Sequence, residues 1–349
     1  MPTRESTSAR VWNSRNDGAD LRIVARALAS RRLLVCVLVC SVTTARVADA
    51  EPSEVDPTVG YNYQEIETPR IAGTGGATRA SSNSTHALFI NPANLSRSRV
   101  YHLTGFAQVW PEASRQSYGV AAVDSIVSSS RVAGGVGAVW NFQDADGIDR
   151  KSTDLRFALS YPLSDSFFVG LGGRYLWLSQ DGEGPLGPSL ASSGLRDSKI
   201  LRGLGFDAGV TLRASEHFSL SAVGTNLNGP DEGLMPTTAG GGLAVSVADF
   251  VIEADGVFDF TTYEEVEPRL MLGAEALFAD HVAARVGYRF DLGADSHAIA
   301  GGVGYVNREF DVDVSVRRVV AGEAVTAVVI GFSYHIEATG LTPTPADSF

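Results

Sequence analysis

One run of carboxylates in this chain has the spacing of a calcium loop. Asp144, Asp146 and Asp149 surround Gly147 in the segment DADGID. Carboxylates two residues apart with a glycine for the turn begin a Ca²⁺-binding loop, which also requires a distal bidentate glutamate. That glutamate is missing here, and Asp-Gly is a favoured hairpin dipeptide. We therefore interpret the segment as an acidic hairpin turn, with a calcium site as the alternative.

The histidines form no recognisable metal-binding motif. The chain has six: His86, His102, His217, His281, His297 and His335. Because no cysteine pair or paired-histidine spacing accompanies them, we interpret them as polar side chains and expect no metal and no other cofactor. The sequence also lacks the nucleophile-elbow, zincin and Walker A motifs, so an enzyme is not expected.

The composition excludes two further classes of protein. The 349-residue chain has 40 acidic and 28 basic side chains, a net charge of −12, and 44% hydrophobic residues. That apolar content can build a core, which excludes a wholly disordered chain. Nucleic acid is not an expected partner, because its phosphates require a basic surface.

The first 50 residues have the pattern of a secretory signal peptide. Arg31 and Arg32 precede the apolar run 33–40, and Ala-Asp-Ala at 48–50 provides a cleavage site. This order of basic, apolar and small residues defines an export signal, while the run is shorter than the ~20 residues of a membrane-spanning helix. Both cysteines fall inside the run, so no disulfide is expected in the mature chain; lipidation of Cys40 is the alternative.

From about residue 99 to residue 336, hydrophobicity alternates with the period of two that is typical of β-strands. Turn signals divide this region into fourteen segments of about 10 residues or longer, the length that tilted membrane strands require. Short and longer connections alternate, and aromatic residues cluster near the segment ends. The pattern predicts an all-β, transmembrane antiparallel barrel of about 14 strands. A soluble exported sandwich or propeller is the alternative.

Two motifs ahead of the first segment resemble the N-terminal region of the FadL/PorV superfamily of outer-membrane barrels. One is a glycine-rich start that includes Gly75 and Gly76. The other, Asn91-Pro92-Ala93-Asn94-Leu95, is similar to the family's Asn-Pro-Ala-Gly-Leu. Two further stretches are similar to hairpins of the family: 206–229, which ends in an Asn-Leu turn, and the pair of segments 273–275 and 285–288. The resemblance implies a fourteen-stranded barrel whose N-terminal segment folds into the lumen as a plug.

The Asn-Pro-Ala-Asn motif also has a local physical interpretation. Pro92 fixes φ, and Asn91 can cap a short helix. Asn94 replaces the family's glycine, and asparagine is the residue other than glycine that best tolerates a left-handed conformation. We therefore expect Asn94 to adopt that conformation.

Charged residues alternate with the apolar ones and are predicted to face the lumen. They are Asp154, Arg156, Arg174, Asp207, Arg213, Glu253, Asp255, Glu275, Arg285, Arg289, Asp311, Asp313 and Arg317. Unpaired charges in a narrow lumen cost several kcal/mol, so the mixed signs favour pairing with one another and with the plug. A polar path, or a site for a ligand carboxylate, is the functional alternative.

The last predicted strand ends in Gly331-Phe332-Ser333-Tyr334-His335-Ile336. Gly331, Tyr334 and Ile336 look like the C-terminal signal that the barrel-assembly machinery recognises. In the third predicted strand, Gly134 and Gly135 could permit an opening of the wall, although such glycines more often mark close packing.

Together these features predict a signal peptide at 1–50, a plug segment at 51–98, a barrel at 99–336 and a polar tail at 337–349. The resemblance implies an outer-membrane channel or transporter for hydrophobic small molecules. The alternative is a secretion or surface-assembly scaffold that binds partner proteins, as in the PorV branch. The expected partners are outer-membrane lipid, the barrel-assembly machinery, and either a hydrophobic ligand or a secreted protein.

Overall fold

Fourteen antiparallel strands close into one barrel in this computed structural model of the chain. The structure describes residues 66–126, 131–144, 149–180, 201–230, 235–263 and 265–337. Each strand pairs with its neighbours in sequence, and β1 pairs with β14 to complete the ring. The strands are β1 Val100–Trp110, β2 Arg115–Asp124, β3 Ala133–Gln143, β4 Arg150–Pro162, β5 Phe167–Gln180, β6 Leu201–Arg213, β7 Phe218–Thr225, β8 Thr238–Val247, β9 Phe250–Asp259, β10 Glu267–Phe278, β11 Val282–Asp291, β12 Ser296–Val306, β13 Phe310–Ala321 and β14 Thr326–Glu337.

The alternation of side chains in each strand explains why the sheet closes. On β4 and β5, Leu159 and Leu171 are 62% and 70% exposed on the outer face. On the inner face of the same strands, Asp154 and Arg174 are buried. Apolar residues outside and polar residues inside are typical of a barrel in a bilayer, where closure leaves no backbone edge without hydrogen-bond partners. The predicted fold class is confirmed.

The connections between strands define two ends of the barrel. The turn end holds the start of β1, the end of β14 and the connections 125–132, 163–166, 214–217, 248–249, 279–281 and 307–309. The loop end holds the connections 111–114, 144–149, 181–200, 226–237, 260–266, 292–295 and 322–325. The two connections with the most residues, 181–200 and 226–237, therefore join strand ends at the loop end, a distribution typical of outer-membrane barrels.

Residues 66–98, termed the plug, lie inside the barrel. They form helix α1 (Pro69–Gly73), helix α2 (Ser84–Ile90) and a 3₁₀ helix (Pro92–Arg97). No helix among the described residues is long and apolar enough to cross a membrane. On one side, apolar plug residues pack against the inner face of β1–β4; this cluster includes Leu88, Phe89, Leu95, Phe106 and Val123. On its other side the plug contacts the polar inner face of β9–β13.

Several predicted segments lie outside the described residues. They are the signal peptide 1–50, the first part of the plug segment (51–65), the centre of the acidic hairpin turn (145–148), the connection 181–198 and the tail from residue 338 onward.

Candidate functional site

Two carboxylates on β9 hold the plug by its backbone. Asp255 accepts hydrogen bonds from the amides of residues 78 and 79 at 3.0 and 2.9 Å. Glu253 accepts from the amides of residues 80 and 81 at 2.5 and 3.0 Å. The guanidinium of Arg79 also contacts Asp255 at 3.2 Å. Because side chains two residues apart share one face of a strand, β9 presents both acids to four consecutive amides, and such charge-assisted bonds are strong.

The glycine-rich start of the plug lies against the backbone of β11. Gly75 and Gly76 have φ values of 66° and 93°, in the left-handed region that glycine adopts without steric cost. A Cβ on Gly75 would lie 2.9 Å from the backbone nitrogen of Tyr288. Both the conformation and the close approach therefore require glycine at this position.

Ion pairs fix the residues around α1. Glu67 is buried and pairs with Arg289 at 2.8 Å and with Arg317. Arg70 forms two hydrogen bonds of 3.0 Å with Glu275. Four elements of the wall and plug are thus joined through two carboxylates. Because the carboxylate of Glu67 pairs with two arginines, its charge is well compensated inside the lumen.

Other predicted inner charges pair within the wall itself. Asp154 contacts Arg156 at 2.8 Å and Arg174 at 2.5 Å, and Arg156 lies 3.8 Å from Asp207. A second group joins Arg285 to Glu275 and Asp313, each at 2.5 Å. Since all of these residues except the half-buried Glu275 are buried, the pairs are protected from solvent screening. The pairing interpretation of the mixed charges agrees with this arrangement.

Arg213 differs from the other predicted lumen charges. It is the last residue of β6, where its guanidinium donates to the carbonyl of Asp165 at 3.1 Å. Because Asp165 belongs to a turn, Arg213 lies at the rim of the turn end and not within the lumen. The alternation of the sequence indicated its face, but the hydrogen bond to the Asp165 carbonyl that holds it at the rim comes from a neighbouring turn.

Asn91 caps the 3₁₀ helix and joins it to the wall. Its Oδ1 accepts from the amide of Ala93 at 3.1 Å, as expected for a helix N-cap. Its Nδ2 donates to the carbonyl of Arg79 at 2.9 Å and to the hydroxyl of Thr211 on β6 at 3.0 Å. One side chain thus closes the helix and holds two parts of the plug together.

The rest of the Asn-Pro-Ala-Asn motif lies in the 3₁₀ helix. Pro92 is its first residue, and Leu95 is fully buried in the apolar cluster. Asn94 lies in the body of the helix and donates to Arg79 O at 2.9 Å. The expected left-handed conformation of Asn94 is therefore wrong. Its φ is negative, and its side chain makes the hydrogen bond to Arg79 O.

Helix α2 is fixed by three side-chain hydrogen bonds of 2.7 Å each, which join Ser84 to His102, Thr85 to Thr104 and His86 to Thr68. Burial, and then the nearby Arg70 guanidinium, lower the pKa of His86 well below its usual range. The His86 ring is therefore neutral and acts as a hydrogen-bonding group. The polar face of α2 thus contributes specificity to plug docking without adding charge.

A cavity lies between the plug and the loop end. Apolar side chains of the plug contribute to it, namely Ile66, Ile71, Phe89 and Ile90. Four arginines also line it: Arg79, Arg156, Arg174 and Arg269. The empty space is about 650 Å³ with its opening included, but only about 50 Å³ accepts the centre of a water-sized molecule. The cavity is narrow, so a ligand of several carbon atoms requires lining side chains or the plug to move.

The wall beside Gly134 is closed in this structure. β3 pairs in continuous register with both β2 and β4 from Gly134 to Gln143. A shallow apolar groove of about 370 Å³ marks the outer surface at Gly134, next to Phe157 and Leu159. On the inside, a Cβ on Gly135 would lie 2.8 Å from Leu95 of the plug. These glycines therefore coincide with close packing of the plug against the wall.

The three residues of the proposed assembly signal lie on β14, which pairs with both β1 and β13. Tyr334 and Ile336 face outward and are each 42% exposed. Gly331 faces inward, and its Cβ position is 2.8 Å from Pro69 of the plug. The closing strand thus presents apolar side chains outside and room for the plug inside.

One cluster of potential metal ligands could not be recognised from the spacing of residues in the sequence. His102 on β1, Asp311 on β13 and His335 on β14 lie together near the turn end. They are separated by up to 233 positions, and only closure of the barrel brings them together. This grouping was not anticipated from the sequence, from which no metal is expected.

Solved structures of other proteins share the fold of this chain. No protein-family model and no curated protein matches the chain. The solved CymD monoaromatic hydrocarbon channel is 15% identical, with a TM-score of 0.58 over 79% of this chain and 98% of the channel. The toluene transporter TodX of Pseudomonas putida is 13% identical, with a TM-score of 0.56 over 79% and 99%. Both are FadL-family outer-membrane barrels, and the chain shares their fold, as the resemblance implied.

Proposed function

We propose that the protein is an outer-membrane channel for hydrophobic small molecules in which the plug controls passage. The observation that carries this proposal is the narrow, partly apolar cavity above a plug that is anchored inside a closed barrel. A general porin has a polar, water-filled lumen. Here residues 66–98 occupy the lumen and contribute Ile66, Ile71 and Phe89 to the cavity, an arrangement suited to apolar ligands.

The barrel surface supports a location in the outer membrane. Large apolar side chains project outward from the strands, among them Leu159, Leu171 and Ile252. Lipid contact compensates for this exposure, which would be costly in water. Export by the predicted signal peptide and insertion through the β14 signal complete the proposed route. By the pattern of loop lengths, the turn end faces the periplasm and the loop end faces outward.

The two structurally similar channels support the ligand class. CymD is described as a monoaromatic hydrocarbon channel and TodX as a toluene transporter. We propose ligands of that kind because Ile66, Ile71, Phe89 and Ile90 of the plug give the cavity an apolar side. The paired arginines around the cavity keep their carboxylate partners, so a charged ligand is not required.

Uptake of radiolabelled toluene tests the proposal. The protein is produced in a Gram-negative strain that lacks its own aromatic-hydrocarbon channels, and uptake is compared with an empty-vector strain. We expect a several-fold faster initial rate with the wild-type protein. Val257→Trp, which fills the cavity from β9, should remove most of this gain, because Val257 is buried at 4% exposure.

Ile252→Trp is the matched control, since Ile252 lies on the outer face of the same strand and is 62% exposed. It should leave uptake unchanged. Uptake at the vector level with the wild-type protein correctly inserted would reject the channel. If a stoichiometric protein partner were then recovered from the outer membrane, the scaffold function would replace it.

A further inference from the structure

The barrel closes beside a three-residue cluster near the turn end. His102 on β1 is paired directly with His335 on β14, and their rings form an edge-to-face contact at 5.5 Å. Asp311 of β13 lies against both: its Oδ2 is 3.8 Å from His102 Nε2 and 3.9 Å from His335 Nδ1. One ligand atom from each of the three side chains lies within 4.8 Å of the other two. The cluster is separate from the cavity at the loop end.

Each histidine ring makes a hydrogen bond through one nitrogen, and its other nitrogen faces Asp311. His335 Nε2 lies 2.9 Å from the carbonyl oxygen of Asn307. A carbonyl only accepts, so Nε2 carries the proton and Nδ1 keeps its lone pair toward Asp311. His102 Nδ1 is 2.7 Å from Ser84 Oγ, while its Nε2 is buried without a hydrogen-bond partner. With the Nδ1 proton donated to Ser84, both histidines direct a lone pair at the same point.

The electrostatic surroundings call for a cation. Asp311 is 8% exposed, and the ionisable groups in contact with it are the two imidazoles. Asp313, two residues along the same face, has Arg285 at 2.5 Å instead. A buried carboxylate is costly without a cationic partner, and a divalent ion between the three side chains supplies one.

We propose that His102, Asp311 and His335 bind one divalent transition-metal ion, with Zn²⁺ as the best fit. Two imidazole nitrogens and one carboxylate are a zinc donor set, with water as the fourth ligand, whereas Ca²⁺ and Mg²⁺ prefer oxygen ligands. Zinc bonds of about 2.0–2.2 Å place tetrahedral donors about 3.3–3.5 Å apart. The observed separations of 3.8 and 3.9 Å from Asp311 therefore close by less than 1 Å through side-chain rotation. The two histidine nitrogens lie within 4.8 Å of each other and approach by at most about 1.5 Å.

The hydrogen bonds made by the second ring nitrogen of each histidine support this assignment. Metal-binding histidines donate their second ring N–H to a carbonyl or another acceptor, which fixes the ring orientation. Asn307 O and Ser84 Oγ occupy those positions here. Because Ser84 begins helix α2, the ion joins β1, β13 and β14 and reaches the plug through His102. The site is structural: it fastens the closing strands and the adjacent plug helix.

Zn²⁺ titration of the purified, untagged protein in detergent tests the site. We expect one tight site per chain by calorimetry, and a Co²⁺ complex with the visible absorption of tetrahedral coordination. Asp311→Asn and the double variant His102→Gln/His335→Gln should weaken binding by at least about tenfold. The controls are His217→Gln and His281→Gln, whose imidazoles lie in exposed turns of the same end and should bind Zn²⁺ as the wild type does.

Thermal unfolding separates metal binding from a folding defect. Asp311→Asn removes one ligand with almost no change of side-chain volume, so the metal-free variant should still fold and show a cooperative thermal transition. Added Zn²⁺ should raise the unfolding temperature of the wild type and not of the variant. Equal Zn²⁺ affinity in the wild type and Asp311→Asn, or an equal rise in unfolding temperature, would overturn the proposal. So would the lack of a stoichiometric site in the wild type.

Discussion

Single glycines of the inner wall set how closely the plug approaches. A Cβ on Gly170 of β5 would lie 2.3 Å from the carbonyl carbon of Pro92 and 2.3 Å from the nitrogen of Ala93. Both are backbone atoms, so they cannot rotate away as a flexible side chain could. Gly105 on β1 provides the contrast, because nothing lies within 4 Å of its Cβ position.

Gly170→Ala is therefore expected to displace the 3₁₀ helix of the plug. Overpacking of this kind costs about 1–3 kcal/mol, so the denaturant midpoint of the reconstituted barrel should fall. Ion conductance in planar bilayers should rise, because the plug no longer seats. Gly105→Ala should change neither quantity, and equal behaviour of the two variants would contradict the close packing described here.

Two asparagines of the plug show which details could be predicted from the sequence and which could not. Asn91 acts as the cap that its type and position indicated. Asn94 does not adopt the expected left-handed conformation, because the tertiary hydrogen bond to Arg79 O explains the asparagine instead. Partners of this kind depend on how the plug folds back on itself, which sequence spacing does not encode.

At the scale of secondary-structure elements, β9 is a point of attachment for the plug. Glu253 and Asp255 accept hydrogen bonds from four successive plug amides, and no other strand contacts so continuous a stretch of plug backbone in the hydrogen bonds described here. Hydrogen bonds to charged groups contribute about 1.5–3 kcal/mol each. Loss of both charges should therefore loosen this stretch before it affects the barrel.

The double variant Glu253→Gln/Asp255→Asn tests this attachment. Amide hydrogen exchange at residues 78–81 should become about 10–100-fold faster, while the amides of the wall strands stay protected. Asp249→Asn is the matched control, because Asp249 lies in the turn before β9 and makes no side-chain contact with the plug among the described hydrogen bonds and ion pairs. Unchanged exchange in the double variant would show that other contacts hold the plug.

The strands themselves were the most predictable elements. Period-two alternation and turn residues act locally, so all fourteen strands could be recognised without knowledge of their partners. The pairing of β1 with β14 joins residues more than 200 positions apart, and no local pattern encodes which side chains then meet. For that reason the grouping of His102, Asp311 and His335 could not be predicted from the sequence. The rim position of Arg213 likewise depends on a hydrogen bond to the neighbouring turn.

At the scale of the whole molecule, the lumen has two kinds of wall. The plug packs its apolar side against β1–β4 and pairs its polar side with charges on β9–β13. Apolar packing tolerates sliding, whereas charge-assisted hydrogen bonds hold one geometry. The account therefore predicts that the plug moves during passage of a ligand, with the β9–β13 side as the attachment that must yield.

A reversible disulfide between the plug and β13 tests this central claim most directly. The Cβ position of Gly73 is 2.7 Å from Ser315 Oγ, close enough for a disulfide with its sulfur–sulfur bond of about 2.0 Å. Residues 51–349 contain no cysteine, so Gly73→Cys/Ser315→Cys introduces the sole pair into this part of the chain. The single variants Gly73→Cys and Ser315→Cys are the controls for the substitutions themselves.

Toluene uptake is measured with the double variant oxidised and then reduced. The account predicts uptake at the empty-vector level while the disulfide is formed, and recovery to the level of the single variants after reduction. Uptake that stays at the wild-type level with the disulfide fully formed would contradict a plug-controlled channel.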